Sequence, residues 1–162
     1  MPIDPSEYRR VLGHFPTGVT VVTGADDEGA VGMTIGSFAS VSLDPPLVMF
    51  CPTHGSTTWQ RIKEAGTFCV NVLGDDQLDL CGLFAGKDED KFAEIEWTTE
   101  HTGAPVLPGS IAWIDCDIHA VHDGGDHAIV VGLVKALRTV DELGSRGPLL
   151  FFQGGFGQFG TL

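Results

Sequence analysis

Two stretches of the chain place donors where chemistry on a bound nucleotide is possible. Met33-Thr-Ile-Gly-Ser-Phe-Ala-Ser-Val-Ser42 is strand-like and loaded with small hydroxyl residues around Gly36. It reads either as an edge strand with a polar solvent face or as a wall where backbone N–H groups approach a flat polar ring. An isoalloxazine ring, whose N5, O4, N1 and O2 want donors, needs such a wall. Cys51-Pro-Thr-His-Gly-Ser-Thr-Thr-Trp59 sets a polar loop at the start of a helix, where free N–H groups and the helix dipole favour phosphate. Most helices carry such a cap; the informative feature is that one strand separates ring wall from phosphate cradle. Lys87 and Lys91 are among only 9 basic residues. They stand either in a solvated charge run or as local positive potential for an anion.

Other candidate chemistries lose support. Gly155-Phe-Gly-Gln-Phe-Gly160 has the spacing of a dinucleotide fingerprint, but that motif must open a helix within a βαβ unit, so the segment reads as a flexible Gly-aromatic tail. His119, His122 and His127 lie near Asp123 and Asp126, yet alternation along a strand turns His119 and His122 to opposite faces, which opposes a metal cluster. Cys51, Cys69, Cys81 and Cys116 form no CxxC pair and read as buried free thiols in a reducing cytoplasm. No nucleophile elbow, HExxH or Walker motif is present. The net charge of -13 argues against nucleic acid or an anionic membrane as partner, and no apolar run reaches the roughly 20 residues of a membrane span. Residues 1–10 lack an apolar signal core, so a secreted precursor is not expected.

The elements that must hold these residues follow from periodicity. A short helix is expected over Ser6–Phe15, a strand over Thr17–Thr23, a turn over Gly24–Gly29 and a returning strand over Ala30–Ile35. Leu47–Cys51 reads as a strand. Ser56 or Thr57 caps a helix to Ala65, with Gly66 as its C-terminal cap. Thr67–Leu73 is a strand, and Asp75 or Asp76 caps a helix ending near Gly86. Two long strands, Ile111–Val121 and Ala128–Val140, flank a loop over His122–His127, and Pro148–Gln153 forms a last strand. With 162 residues and no change of composition, one domain over 1–162 is expected. The order is no regular βαβα alternation, so a small antiparallel barrel with peripheral helices fits.

Phe15-Pro-Thr-Gly-Val-Thr-Val-Val-Thr23, Gly32 through Val48, Phe68-Cys-Val-Asn-Val-Leu73, Gly124-Gly-Asp-His127 and Pro148-Leu-Leu-Phe151 together resemble the flavin reductase family, in the family's order and over residues 7–157. Its members are the small reductase components of two-component flavin-dependent monooxygenases. The run Ser-Phe-Ala-Ser-Val-Ser-Leu-Asp-Pro-Pro-Leu-Val combined with Gly-Asp-His is the specific part, and within the family the chain is similar to reductases serving hydroxylases of aromatic compounds, steroid-degrading ones included. The resemblance implies a mainly β, FMN-binding split barrel, a Greek-key-like six-stranded antiparallel barrel that is usually a homodimer. It implies NADH- or NADPH-dependent reduction of FMN or FAD, with reduced flavin passed to a separate oxygenase.

Carried onto this chain, the ring and ribityl wall would be Gly32, Met33, Thr34, Ile35 and Gly36 with Ser37, Phe38 and Ala39. The phosphate region would be Thr53, His54, Gly55, Ser56, Thr57 and Thr58, with Trp59 and Gln60 beyond it. Phe84 and Ala85 would flank the flavin, with Lys91 and Phe92 beside them. His127 and the tail residues Phe152, Gly154, Gly155 and Phe156 would meet the nicotinamide nucleotide. Family members often extend beyond the Gly-aromatic segment, whereas this sequence stops at Leu162. No catalytic side chain and no metal are implied, because hydride passes from nicotinamide C4 to flavin N5. Two other readings stay open: a flavin-binding module without turnover, and an oxidase of the pyridoxamine phosphate type, which the same barrel also hosts.

Overall fold

The computed structural model describes residues 2–87, 90–140 and 146–162. Asp4 opens helix α1 (Pro5–Leu12) by accepting the Ser6 and Glu7 amides, and Pro5 occupies the first turn, where its missing N–H costs nothing. The helix is shorter than its apolar pattern predicts: the amides of Gly13, His14 and Phe15 turn back onto the carbonyls of Arg9, Val11 and Leu12. None of its residues is buried.

The β-branched run after Pro16 gives β1 (Thr17–Gly18) and β2 (Thr20–Asp26), returned by β3 (Gly29–Ile35). Then follow β4 (Ala39–Ser42), β5 (Leu47–Phe50), α2 (Thr57–Ala65), β6 (Thr67–Val72), α3 (Leu78–Ala85), β7 (Thr98–Thr99), β8 (Pro105–Val106), β9 (Ala112–Gly124), β10 (His127–Thr139), β11 (Leu149–Phe152) and β12 (Gly155–Gln158). The main sheet runs β3-β2-β6-β9-β10-β5-β4, and every pair in it is antiparallel.

Its edges, β3 and β4, are consecutive in the chain, joined only by Gly36, Ser37 and Phe38. Four peptide steps reach about 14 Å, whereas seven flat strands span about 29 Å. The sheet must therefore curl, which makes the split barrel. Its core is Val22, Phe50, Trp59, Ile62, Phe68, Val70 and Val130, with α2 as the plug. A second cluster, Val19, Val21, Leu73, Cys81, Phe84, Leu107 and Leu149, lies under α3.

Several expectations need correction. The barrel sheet has seven strands rather than six; β4, read as a continuation of the ring wall, is the additional one. Helix α3 is not capped by Asp75 or Asp76. Gln77 holds the cap position without a side-chain bond, because Asp76 pairs with Arg146 and Asp75 accepts the Gly147 amide at 3.3 Å. The glycine-aromatic tail is no flexible tail. Gln153 and Gly154, both at positive φ (49° and 78°), make a two-residue turn that folds β12 back on β11, and β11 pairs with β1. The long hairpin also turns later than expected, at Gly125-Asp126. All four cysteines are free. Cys51 is half-buried and the others buried, and burial pushes the Cys116 thiol up to about 12.

Candidate functional site

Helix α2 is built as its sequence predicts. The Ser56 hydroxyl accepts the Trp59 amide at 3.1 Å, and Gly66 ends the helix at φ 76°, a left-handed conformation that favours glycine. Trp59 and Ile62 anchor the helix in the core, so its first turn is fixed in place with amide N–H groups that lack intrahelical acceptors. That turn faces β3 and the C-terminal end of α3 across a cavity of about 850 Å³. The cavity brings together Met33, Thr34, Thr53, Gly55, Ser56, Thr57, Thr58, Phe84, Ala85 and Lys91, which sequence reasoning had assigned to one site from three separate stretches.

Three of the expected hydroxyl donors have intramolecular work. Thr34 donates to the Cys81 carbonyl at 2.7 Å and ties β3 to α3. Ser37 accepts the Cys51 amide at 2.9 Å and so pins the β3–β4 link to the end of β5. Ser56 caps α2. Ile35 and Trp59 are core residues whose side chains are buried at 8% and 1% exposure, so only their backbone can serve the site. Gln60 donates to the His54 carbonyl at 3.0 Å and braces the loop before α2. Phe92 stands behind Phe84, ring centroids 5.1 Å apart. The space left by the missing side chain of Gly32 is filled by the Phe84 ring, not left for a ligand.

Lys87 and Lys91, two of the chain's 9 basic residues, bring positive charge to the cavity, and Arg61 and Glu28 line it as well. The Lys91 ammonium donates to the carbonyls of Phe84 at 3.0 Å and Gly32 at 3.4 Å, neutralising the negative end of α3 where it meets the cavity. Of the charge run around Lys87, Asp88 and Glu89 lie outside the described residues. Arg61 was not foreseen. Its guanidinium grips Asp26 across 35 positions and holds that carboxyl down to about 2.

A second, apolar groove of about 900 Å³ lies between α1 and the β11–β12 hairpin, and Gly36, Ser37, Phe151 and Gly154 line it. The β3–β4 wall thus borders both cavities. Phe152 packs edge-on against His14, and the Gln153 amide donates to the Gly13 carbonyl, so the tail belongs to this groove. His127 lies elsewhere. It pairs with Thr53 across a lone bridge, its Nδ1 lies 2.7 Å from Asp126, and the His54 amide donates to the Asp126 carbonyl. The expected nicotinamide residues are therefore split, His127 beside the loop before α2 and Phe152 and Gly154 beside α1, while Gly155 and Phe156 are exposed on β12. Among the described residues no group of three or more His, Cys, Asp or Glu side chains could hold a metal ion.

The arrangement can hold an anion at a helix start and a flat ring against backbone. His54 and His127 each pair with a carboxylate, and no nucleophile with its base lines either cavity. The chain is similar to known proteins over nearly its whole length. The flavin reductase like domain matches residues 12–160. A flavin reductase of Pseudomonas putida is 50% identical over 161 residues, 99% of this chain and 93% of its own. The flavin-dependent monooxygenase reductase subunit HsaB of Rhodococcus jostii is 50% identical over 152 residues, 94% of this chain and 76% of its own. The NADH:FAD oxidoreductase SgcE6 of Streptomyces globisporus, solved in complex with NAD and FAD fragments, has a TM-score of 0.89 at 39% identity and covers 99% of this chain and 97% of its own. The chain belongs to the flavin reductase family. It is an NAD(P)H-dependent oxidoreductase that reduces FMN or FAD and supplies the reduced flavin to a separate monooxygenase component.

Proposed function

We propose that the cavity between β3, α2 and α3 is the flavin seat. The observation that carries this is the convergence of the α2 N-terminus with Lys87 and Lys91 around one space in a chain of net charge -13. A phosphate there receives α2 amides and local positive potential that the rest of the molecule denies it. The isoalloxazine lies along the β3 backbone toward Gly36 and Ser37, where the wall passes from one cavity to the other. His127 and the Phe152–Phe156 hairpin approach the nicotinamide nucleotide from the two ends of that wall. The bound rings supply the hydride chemistry; the chain binds and orients them and excludes water.

The chain acts as one domain, and as a homodimer. The support is the exposure of Tyr8, Val11 and Leu12 on α1, each at least half exposed, and of Phe151 and Phe152 on β11, with Tyr8, Leu12 and Phe151 lining one apolar groove. The four unpaired cysteines favour a reducing compartment, the cytoplasm. The oxygenase it serves acts on an aromatic or steroid-ring compound, a reading that rests on the sequence resemblance. No described helix is long and apolar enough to cross a membrane.

The test mixes purified protein with NADH or NADPH and FMN or FAD, and follows nicotinamide absorbance with cytochrome c as acceptor. Oxidation with at least one pair is expected; none with any pair would leave the non-catalytic binding module. Binding of riboflavin as tight as that of FMN would move the phosphate seat elsewhere.

A further inference from the structure

The flavin seat does not end at the start of α2. Thr57, Thr58 and Arg61 share one face of that helix, and the cavity continues past the threonines to Arg61 and to Glu28 on the β2–β3 turn. The step is about 4.5–6 Å along the axis, the scale of one further nucleotide group. Resting on the seat proposed above, we propose that Arg61 and Glu28 form the subsite for the adenosine diphosphate half of a flavin dinucleotide, with the base on the face of the Arg61 guanidinium.

The guanidinium is already held edge-on. Nε donates to Asp26 Oδ2 at 2.6 Å, and Nη2 donates to the other Asp26 oxygen and to the Gly29 carbonyl at 3.0 Å. That edge has no capacity for a bidentate grip on phosphate. The planar face and Nη1 remain for the cavity, and a rigid cationic plane suits a heteroaromatic base. Asp26 is itself fixed, since Oδ1 accepts the Glu28 amide at 2.9 Å, so the plane is pre-organised. Glu28 holds its carboxylate 3.9 Å from Arg61 Nε and is 83% exposed. It can accept ribose hydroxyls. FAD therefore gains contacts here that FMN does not have. An adenosine diphosphate half also exists in NADH; proximity to the phosphate seat assigns the subsite to the flavin.

The test is a titration of FAD, FMN and riboflavin against the parent, Arg61→Ala, Arg61→Lys and Glu28→Ala, with NADH KM measured at saturating FMN. Arg61→Ala is expected to weaken FAD by about 3- to 30-fold and FMN by less than about 2-fold, with no rescue by lysine, which lacks the plane. Retained FMN affinity shows that the variant is folded. Glu28→Ala, on an exposed turn, repeats the test without touching the Asp26 pair and should weaken FAD alone, by about 2- to 12-fold. Equal loss for both flavins, no loss for either, or a raised NADH KM with flavin affinities unchanged would each overturn the proposal. A parent protein that binds riboflavin as tightly as FMN would remove the seat itself, a separate failure that the same titration identifies.

Discussion

A Cβ built on Gly32 would lie 2.7 Å from Cε1 of Phe84, so β3 and α3 approach as closely as a glycine and a phenyl ring permit. Phe84 is 1% exposed and backed by Phe92, and its ring borders the cavity. Gly32→Ala must therefore push that ring into the space assigned to the flavin. Overpacking of this kind costs about 1–3 kcal/mol. Urea denaturation should show that loss, and flavin titration a weakened affinity in the same variant. Unchanged affinity in a folded variant would place the ring away from Phe84.

Local signals were legible in the sequence, and long-range ones were not. Ser56 and Gly66 bracket α2 because capping depends on a few adjacent residues, and Thr17 to Thr23 declares itself through β-branching. Asp75 and Asp76 look like caps by the same rule, but Arg146, 70 positions away from Asp76, draws that carboxylate off the helix. Residues 155–158 contain no β-branched residue and extend only because β11 offers a partner and Gln153 accepts a positive φ. Arg61 escaped notice for a related reason: its partner Asp26 lies on the far hairpin, and nothing local marks an arginine on the fifth position of a helix as a cavity wall. The ordered motifs indicated the family, while the allocation of hydroxyls between ligand and scaffold required the geometry.

Ser56 serves the scaffold as cap, and it is also expected to donate its proton to the flavin phosphate. The two roles separate by substitution. Ser56→Ala should destabilise by about 1 kcal/mol, near 2–4 °C in Tm, whereas Ser56→Gly should lose only a few tenths. If the hydroxyl also meets the phosphate, both variants bind FMN more weakly while riboflavin binding is unaffected. FMN affinity restored by glycine would assign Ser56 to the cap alone.

Lys91 holds the Phe84 and Gly32 carbonyls and so covers the negative end of α3 beside the cavity. Lys91→Met should weaken FMN about 2- to 5-fold and flatten the salt dependence of binding. Riboflavin, which has no charge to respond to, should be unaffected. An equal loss for riboflavin would show that the substitution acts through the packing of α3.

His127 sits against Asp126 and lowers that carboxyl below its ordinary range through a hydrogen bond and its charge. Steady-state kinetics of His127→Ala at saturating flavin should show an NADH KM raised about 2- to 12-fold with flavin affinity nearly unchanged. The tail lies in the α1 groove, so Phe152→Ala provides an independent measure of the other end of the proposed nicotinamide site. If His127→Ala leaves KM alone and Phe152→Ala raises it, the nicotinamide nucleotide lies wholly in the groove beside α1.

The Asp26–Arg61 pair fixes how the fold responds to acid. Asp26 titrates near 2 in the folded chain, against an ordinary value of 3.8, because Arg61 donates two hydrogen bonds to it and the Glu28 amide a third. A depressed folded value stabilises the protein above the unfolded value, and the contribution disappears as pH falls through the folded one. Between those values the unfolded chain binds the extra proton, so stability from this pair rises with pH up to about 4 and is constant above. Asp26→Asn should therefore be less stable than the parent at pH 7. The deficit should persist to about pH 4 and close as pH approaches 2. Urea denaturation of both proteins at pH 7, 4 and 2.5 measures this, followed by tryptophan fluorescence, since Trp59 and Trp113 are buried in the folded chain. A deficit that stays constant down to pH 2.5 would mean that the asparagine loses packing or backbone bonds and not a charged pair.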